Sequence, residues 1–316
     1  LHLQDIPSLL NNTKGWPWNY ELLHGSSVLP GGKTWPKISI VTPSLNQGRY
    51  LEEAIRSVLL QGYPNLEYII IDGGSTDESL SIIKKYQPWI TYWVSEEDRG
   101  QSHAINKGFT KATGDIFAWL NSDDVYQENA LVTVAQALAG KCEALLVGDS
   151  IITDGPDRLS GRVDRRRPSW EEMAYDARSF PQPSVFWTRD LWDLAGPLNE
   201  ELYYVMDYDL WLRMRPHAVE EIFLDHVLSY ARSHPEQKGA GVKLKKNHEL
   251  FTRQRVWVAI RSAKSRGESA YTWLIRIWGR RFISAIKNKS FSWLSGSVFH
   301  REAFRQVIKG GMDKGL

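Results

Sequence analysis

Asp123 and Asp124 stand side by side directly behind the apolar run Phe117–Leu120. Two adjacent carboxylates repel each other and resist desolvation unless a cation or hydrogen-bond donors take up their charge. A hard cation such as Mg²⁺ or Mn²⁺ would serve, because it takes one or two carboxylates and completes its shell with phosphate oxygens and water. A turn or a helix N-cap would serve as well, and the residue types alone leave both open. Another acid, Asp72, ends the run Leu66–Ile71 and is followed by Gly73, Gly74 and Ser75. Two glycines let backbone approach a ligand, and a carboxylate there can accept from a base N–H or a ribose hydroxyl. The same residues would also make a tight turn into an N-capped helix.

Such acids need elements to hold them. The stretch "KISIVTPS" (37–44) is β-branched and short, and reads as a strand ending in a Pro-containing turn. In 49–62, Leu51, Ala54, Ile55, Val58 and Leu59 recur at helical spacing, and Gly62 closes the pattern. Strands are expected at 66–74, 90–96 and "DIFAWLNSDD", with helices at 75–86, opened by a Ser/Thr N-cap, and at 100–114. Alternation of this kind implies a parallel sheet covered on both faces. Ligands bind such sheets at the carboxyl ends of the strands. The turns "TPSLN", "DGGSTD", "EEDRGQS" and "NSDD" are therefore expected on one rim. Further on, 183–214 reads as two helical stretches separated by Gly196-Pro197, and the chain beyond roughly 236 as helical and basic.

Composition narrows the class. With 316 residues, 42% of them apolar, the chain can bury one large domain with appendages. A net charge of +2 argues against a uniformly basic nucleic-acid binder. The single cysteine, Cys142, excludes an internal disulfide framework and fits a reducing compartment. The opening residues lack the pattern of a signal peptide, and no run reaches the roughly 18 apolar residues of a membrane span. The expected location is cytoplasmic, at most against the inner face of a membrane. "PGGKTW" contains Gly32-Lys33-Thr34, but Ser27 stands where a phosphate-cradling loop needs glycine, and the segment precedes the first strand. The eight histidines form no helical pair for zinc, and no Gly-x-Ser-x-Gly elbow is present.

Taken together, "ISIVTPSLNQGRYLEEAIRSVLLQGYPNLEYIIIDGGSTDES", "SEEDRGQSHAINKGF" and "TGDIFAWLNSDDVY" resemble the family 2 glycosyltransferases, over about 37–235. The resemblance implies an α/β GT-A (Rossmann-like) fold with a mostly parallel sheet flanked by helices. It also implies a nucleoside-diphosphate-sugar donor, a divalent metal cofactor (Mn²⁺ or Mg²⁺), and transfer to a hydroxyl with inversion. By the same resemblance Asp124 is the metal acid and Asp123 contacts ribose or donor sugar. Asp72 reads the nucleobase, and Thr42, Pro43 and Ser44 line base and ribose. Asn46, Asp98, Arg99, Gln101, Ser102 and Asn121 complete the nucleotide-sugar site. In "MDYDLWLR" (206–213) Asp207 takes the place of the catalytic base, with Asp209 as the alternative; Met206 departs from the family's usual polar residue. In "ARSHPEQK" (231–238), His234 is the candidate beside the diphosphate and metal.

The domains expected are an N-terminal arm (1–36), a catalytic domain (37–235) and a helical, basic, aromatic-rich extension (236–316). The catalytic domain divides into a donor half (37–125) and an acceptor half (126–235). The acceptor, a glycan or glycolipid, is expected against 160–215, with Gln182, Trp187, Tyr203, Tyr204 and Trp211 as candidate walls; most of these aromatics are expected in the core. In 271–305, Leu274, Ile277, Trp278, Phe282 and Ile286 fall near helical spacing among basic residues. That pattern fits packing on the domain or on a second copy, and it also fits a peripheral membrane helix. A UDP-sugar is the favoured donor, with polysaccharide or glycolipid assembly in bacteria as the setting and no nucleic-acid partner. Two other classes compete: a sugar nucleotidyltransferase and a non-catalytic sugar-nucleotide-binding subunit. The first should carry a Gly-rich, Arg-containing loop where this chain has "TPSLNQGRY". The second should lack the base or the metal acid.

Overall fold

Short β-branched runs buried on both faces make the first half of the sheet. The computed structural model describes residues 5–7, 15–19, 22, 28–29, 32–153, 161–239 and 248–287, with 281–287 as backbone. Most of the expected arm, and the tail beyond 287, lie outside the described residues. Strands β1 (Ile38–Ser44), β2 (Leu66–Asp72), β3 (Tyr92–Ser95) and β4 (Ile116–Trp119) pair in parallel in the order β3-β2-β1-β4. Side-chain alternation divides their residues between two apolar layers. Ile38, Ile40, Tyr68 and Ile70 pack with helices α1 (Gly48–Leu59) and α2 (Ser79–Tyr86). Val41, Ile69 and Ile71 pack with α3 (Gln101–Phe109). Gly108 sets how closely α3 lies on β1, because a Cβ there would come within 2.4 Å of Val41 Cγ1. Helix α2 starts at Ser79, later than the expected Ser/Thr cap at 75; Asp77 Oδ1 accepts from Ser79 N instead.

The second half is mixed. After β5 (Val125–Tyr126) and α4 (Ala130–Leu138), the long strand β6 (Ala144–Thr153) pairs antiparallel with β7 (Arg162–Asp164) and β8 (Val185–Thr188), and parallel with β9 (Glu220–Arg232). The nine-stranded sheet runs β3-β2-β1-β4-β8-β6-β9-β5, with β7 on β6. Two of these strands depart from the sequence reading. β8 is a four-residue buried run joined directly to a helix, too short to show a period of its own. β9 interleaves charged and apolar residues without strict alternation, buries only Leu228 and Ser229 fully, and is held by backbone pairing, so its side chains give no clean strand period.

Helices α5 (Trp170–Asp176), α6 (Arg189–Ala195), α7 (Met206–Met214), α8 (His248–Ser265) and α9 (Ala270–Lys287) cover the α3 face. Trp187 and Trp211 are fully buried, and Trp119 stacks on Trp211 at 5.5 Å. They belong to the core, as expected of most aromatics in that stretch. Val256, Ile260, Trp273, Leu274 and Ile277 join the same apolar cluster, which seats both C-terminal helices on the domain. Arg276 pairs with Glu268 and Arg280 with Asp176, while Tyr271 and Ile275 face outward. Among the described residues no helix is long and apolar enough to cross a membrane.

Candidate active site

The turns after β1 and β2 lock onto each other. Gly73 N donates to Ser44 O, Asn46 N to Ser75 Oγ, Thr76 N to Asn46 Oδ1 and Gly48 N to Asp77 Oδ2, each at 2.8 Å. Asn46 itself is left-handed, at φ 52°. Asp72 lies under this lattice with no exposed surface and accepts from Gly74 N, Ser75 N, Ser75 Oγ and Ser95 Oγ. Thr42 is equally buried, its Oγ1 accepting from Tyr68 OH. Gly73 admits Asp98 beside the turn, since a Cβ would stand 2.6 Å from Asp98 Oδ2.

A cleft of about 370 Å³ opens at these strand ends, lined by Pro43, Ser44, Gln47, Asp98, Gln101, Asn121, Asp123, Tyr203 and Lys238 among others. The volume is in the range of small-molecule sites. Ser44 Oγ and Gln47 Oε1 are buried in this wall without a hydrogen-bond partner. Such atoms are rare in a folded protein and await a ligand or water. Side-chain amides cross the floor of the cleft. Lys238 Nζ donates to Gln101 Oε1 (3.1 Å), Gln101 Nε2 to Asn121 Oδ1 (2.7 Å), and Asn121 Nδ2 to Gln182 Oε1 (2.9 Å) and Asp124 Oδ2 (3.1 Å).

The paired acids are reached from two directions. Behind β4 the chain turns into β5, and β5 pairs antiparallel with the end of β9. That pairing sets Arg232 N 3.0 Å from Asp124 Oδ1, as donor, and His234 Nε2 3.0 Å from Asp123 Oδ2. Tyr50 of α1 buttresses both: Arg232 lies over its ring and His234 packs against it at 4.5 Å. His234 Nδ1 is buried without a partner. Burial, and then the neighbouring Asp123, push the Asp124 carboxyl well above the ordinary carboxylate range, against the donors from Arg232 and Asn121. Among the described residues no three His, Cys, Asp or Glu side chains cluster to hold a metal unaided.

Asp207 sits in the first turn of α7, half-buried. Burial raises its carboxyl, while Tyr208 N–H, Arg255 and Arg166 oppose the shift. Asp209, the alternative base, is 1% exposed and carries ion pairs to Arg213 (2.9 Å) and Arg261 (3.0 Å). The structure turns two expected site residues elsewhere. Arg99 pairs with Glu200 at the surface, and Ser102 is buried against Met206 Sδ. It adds Gln47, Tyr50, Arg232 and Lys238, which sequence reasoning missed. Lys238 belongs to "ARSHPEQK", but only the path of β9 brings it to the cleft.

The chain is similar to known glycosyltransferases. The family described as "Glycosyl transferase family 2" matches residues 39–188. An uncharacterized glycosyltransferase of Rickettsia prowazekii (strain Madrid E) is 32% identical over 218 residues, 64% of this chain and 65% of its own length. The chain thus spans just under two thirds of that relative. The PGL/p-HBAD biosynthesis glycosyltransferase of Mycobacterium bovis (strain BCG / Pasteur 1173P2) is 30% identical over 184 residues, 56% of this chain and 69% of its own. Among solved structures, S. aureus TarS 1-349 in complex with UDP-GlcNAc is similar at TM-score 0.58 and 19% identity, over 88% of this chain and 83% of that one. At that identity the likeness speaks for the fold.

Proposed function

This chain belongs to glycosyl transferase family 2, and from that premise we propose that it moves a sugar from a nucleoside-diphosphate sugar to an acceptor hydroxyl with inversion. The observation that carries the reading is the cleft at the strand ends, where the unpartnered Ser44 Oγ and Gln47 Oε1 share a wall with Asp98, Asp123 and Lys238. A UDP-sugar is the favoured donor, in keeping with the UDP-GlcNAc held by the TarS structure. The acceptor in this reading is a glycan or glycolipid, in keeping with a relative named for a biosynthetic glycosyl transfer, and it is met at the cytoplasmic face of a membrane. The donor half would be 37–125 and the acceptor half 126–235.

Asp124, with His234 nearby, would hold a divalent cation, Mn²⁺ or Mg²⁺, together with the donor's diphosphate oxygens, and the neighbouring Asp123 would contact ribose or the donor sugar. Their chemistry fits: two adjacent carboxylates, one of them driven toward protonation, and an imidazole with an unpartnered nitrogen. When bound, such a cation supplies Lewis-acid neutralisation of the leaving diphosphate. The protein's own part is positioning and proton transfer. Asp207 takes the proton of the acceptor hydroxyl as its oxygen forms a bond to the sugar carbon. The bond from that carbon to the diphosphate breaks on the opposite face, and its electron pair leaves with the diphosphate. A carboxyl raised by burial is a stronger base than a solvated one. Asp209 is unsuited to the task, because two arginines hold its charge.

Thermal unfolding against UDP, GDP and dTDP, each with and without Mn²⁺, tests the donor site, since a ligand of the folded state raises Tm. We expect a Mn²⁺-dependent rise with UDP that disappears in Asp123→Asn and Asp124→Asn. No rise with any nucleotide would overturn the reading.

A further inference from the structure

Two cations near Asp207, Lys238 and Arg255, have no carboxylate within ion-pair distance among the described residues. Lys238 Nζ reaches only the Gln101 amide and lies 4.2 Å from the centre of the Tyr203 ring. The Arg255 guanidinium lies over the rings of Phe251 (5.0 Å) and Tyr208 (5.5 Å), and no described acceptor takes its N–H groups. The rings connect the two cations. Tyr203 meets Tyr204 edge-on at 4.7 Å, and Tyr204 meets Phe251 edge-on at 6.1 Å. One band, Lys238–Tyr203–Tyr204–Phe251–Arg255–Tyr208, therefore runs from the cleft wall to the helix turn that carries Asp207.

A third cation, Arg166, differs instructively, because Asp164 holds it through bonds of 2.7–3.0 Å. Lys238 and Arg255 are half-buried, and charge partly taken out of water without a partner carries a cost that a bound anion would offset. Burial draws both Lys238 and Arg255 below their ordinary pKa, and Asp207 offsets this only in part. Tyr203, 55% exposed, is a lining residue of the cleft, so the band begins at a surface open to a ligand.

We propose that this band is the acceptor subsite, and that the acceptor sugar carries a phosphate or carboxylate that Lys238 and Arg255 hold in front of Asp207. The inference rests on the sugar-transfer reading above, with Asp207 as base. A competing source of the same anionic chemistry is the donor's own diphosphate, since Lys238 also lines the nucleotide cleft.

Ligand-observed NMR titrations of the full chain with glucose, glucuronate and glucose 6-phosphate, with and without UDP and Mn²⁺, separate the sources. The charged sugars should bind about tenfold more tightly than glucose, as charge-assisted hydrogen bonds allow. Lys238→Gln and Arg255→Gln should each remove most of that preference, and Arg255→Lys should restore part of it. UDP affinity should change by less than about twofold in Arg255→Gln, which lies outside the nucleotide cleft. Equal binding of glucose and the charged sugars would overturn the subsite while leaving UDP binding, and the donor reading, intact. A roughly tenfold loss of UDP affinity in both variants would overturn it by assigning the cations to the donor diphosphate. A charged-sugar preference that persists without any UDP binding would support the subsite and remove the donor reading.

Discussion

Two rims of the same sheet treat buried acids in opposite ways. On the β2 rim, Asp72 is fully buried and takes four donors from its own turn and from β3. On the β4–β9 rim, Asp124 is nearly as buried but has two donors and a second acid beside it. The first arrangement satisfies the charge internally and makes a rigid turn. The second leaves charge to be satisfied from outside. Asp207, Lys238 and Arg255 continue that pattern across the neighbouring surface, so the scaffold lies on one side and the unsatisfied chemistry on the other.

Asp207→Asn should strike the second side hardest. Removing a general base is expected to lower kcat by about 10³-fold with UDP affinity nearly unchanged, measured by UDP release and by titration. Loss of UDP binding instead would make Asp207 a structural acid like Asp72. Next, Asp124→Asn should lower kcat/KM roughly 100-fold and remove the Mn²⁺ dependence of the nucleotide-induced Tm rise. Wild-type metal dependence in that variant would refute the role of the diacid.

Asp72→Ala probes the scaffold rim. It strands several buried donors and should cost about 3 kcal/mol of unfolding free energy in urea. Asp124→Asn should behave oppositely. A carboxyl raised in the folded state binds its proton more readily there than when unfolded. The parent's stability should therefore fall as pH rises from the ordinary carboxylate range through the raised value. The asparagine variant should lack that slope, and a stability loss matching that of Asp72→Ala would erase the contrast between the rims.

The smallest effect concerns Lys238, drawn down to about 8 by burial. Because its folded pKa is lowered, its charged form costs stability below about 8, and that cost fades as pH rises toward the ordinary value of 10.5. Its charge is lost over the same window. Glucose 6-phosphate binding should weaken severalfold between about pH 7.5 and 9.5, and Lys238→Arg should flatten the profile. A flat profile in the parent would remove Lys238 from the anion's contacts.

Much of the first rim was legible before any coordinates. β1, β2 and their turns follow from continuous β-branched runs, helical spacing and glycines, all of which act over a few residues. The second helix starts at Ser79 and not at a cap by Ser75, because the Ser75 hydroxyl serves Asp72 and Asn46. β8 and β9 are not legible in the sequence, one for its length and the other because charged and apolar residues interleave along it without a strand period.

Local chemistry in the sequence determined the alternating elements, the acids at the strand ends and the family resemblance, because strand, helix and turn signals act between near neighbours. Only the tertiary structure decided which charges stay unsatisfied. Lys238 reaches the cleft and His234 reaches Asp123 because β9 pairs with β5, more than a hundred positions earlier in the chain. Asp209 is separated from Asp207 by arginines, one of which comes from a helix some fifty residues on. Burial and charge pairing are sums over all neighbours in space, and no local pattern of residues contains that sum.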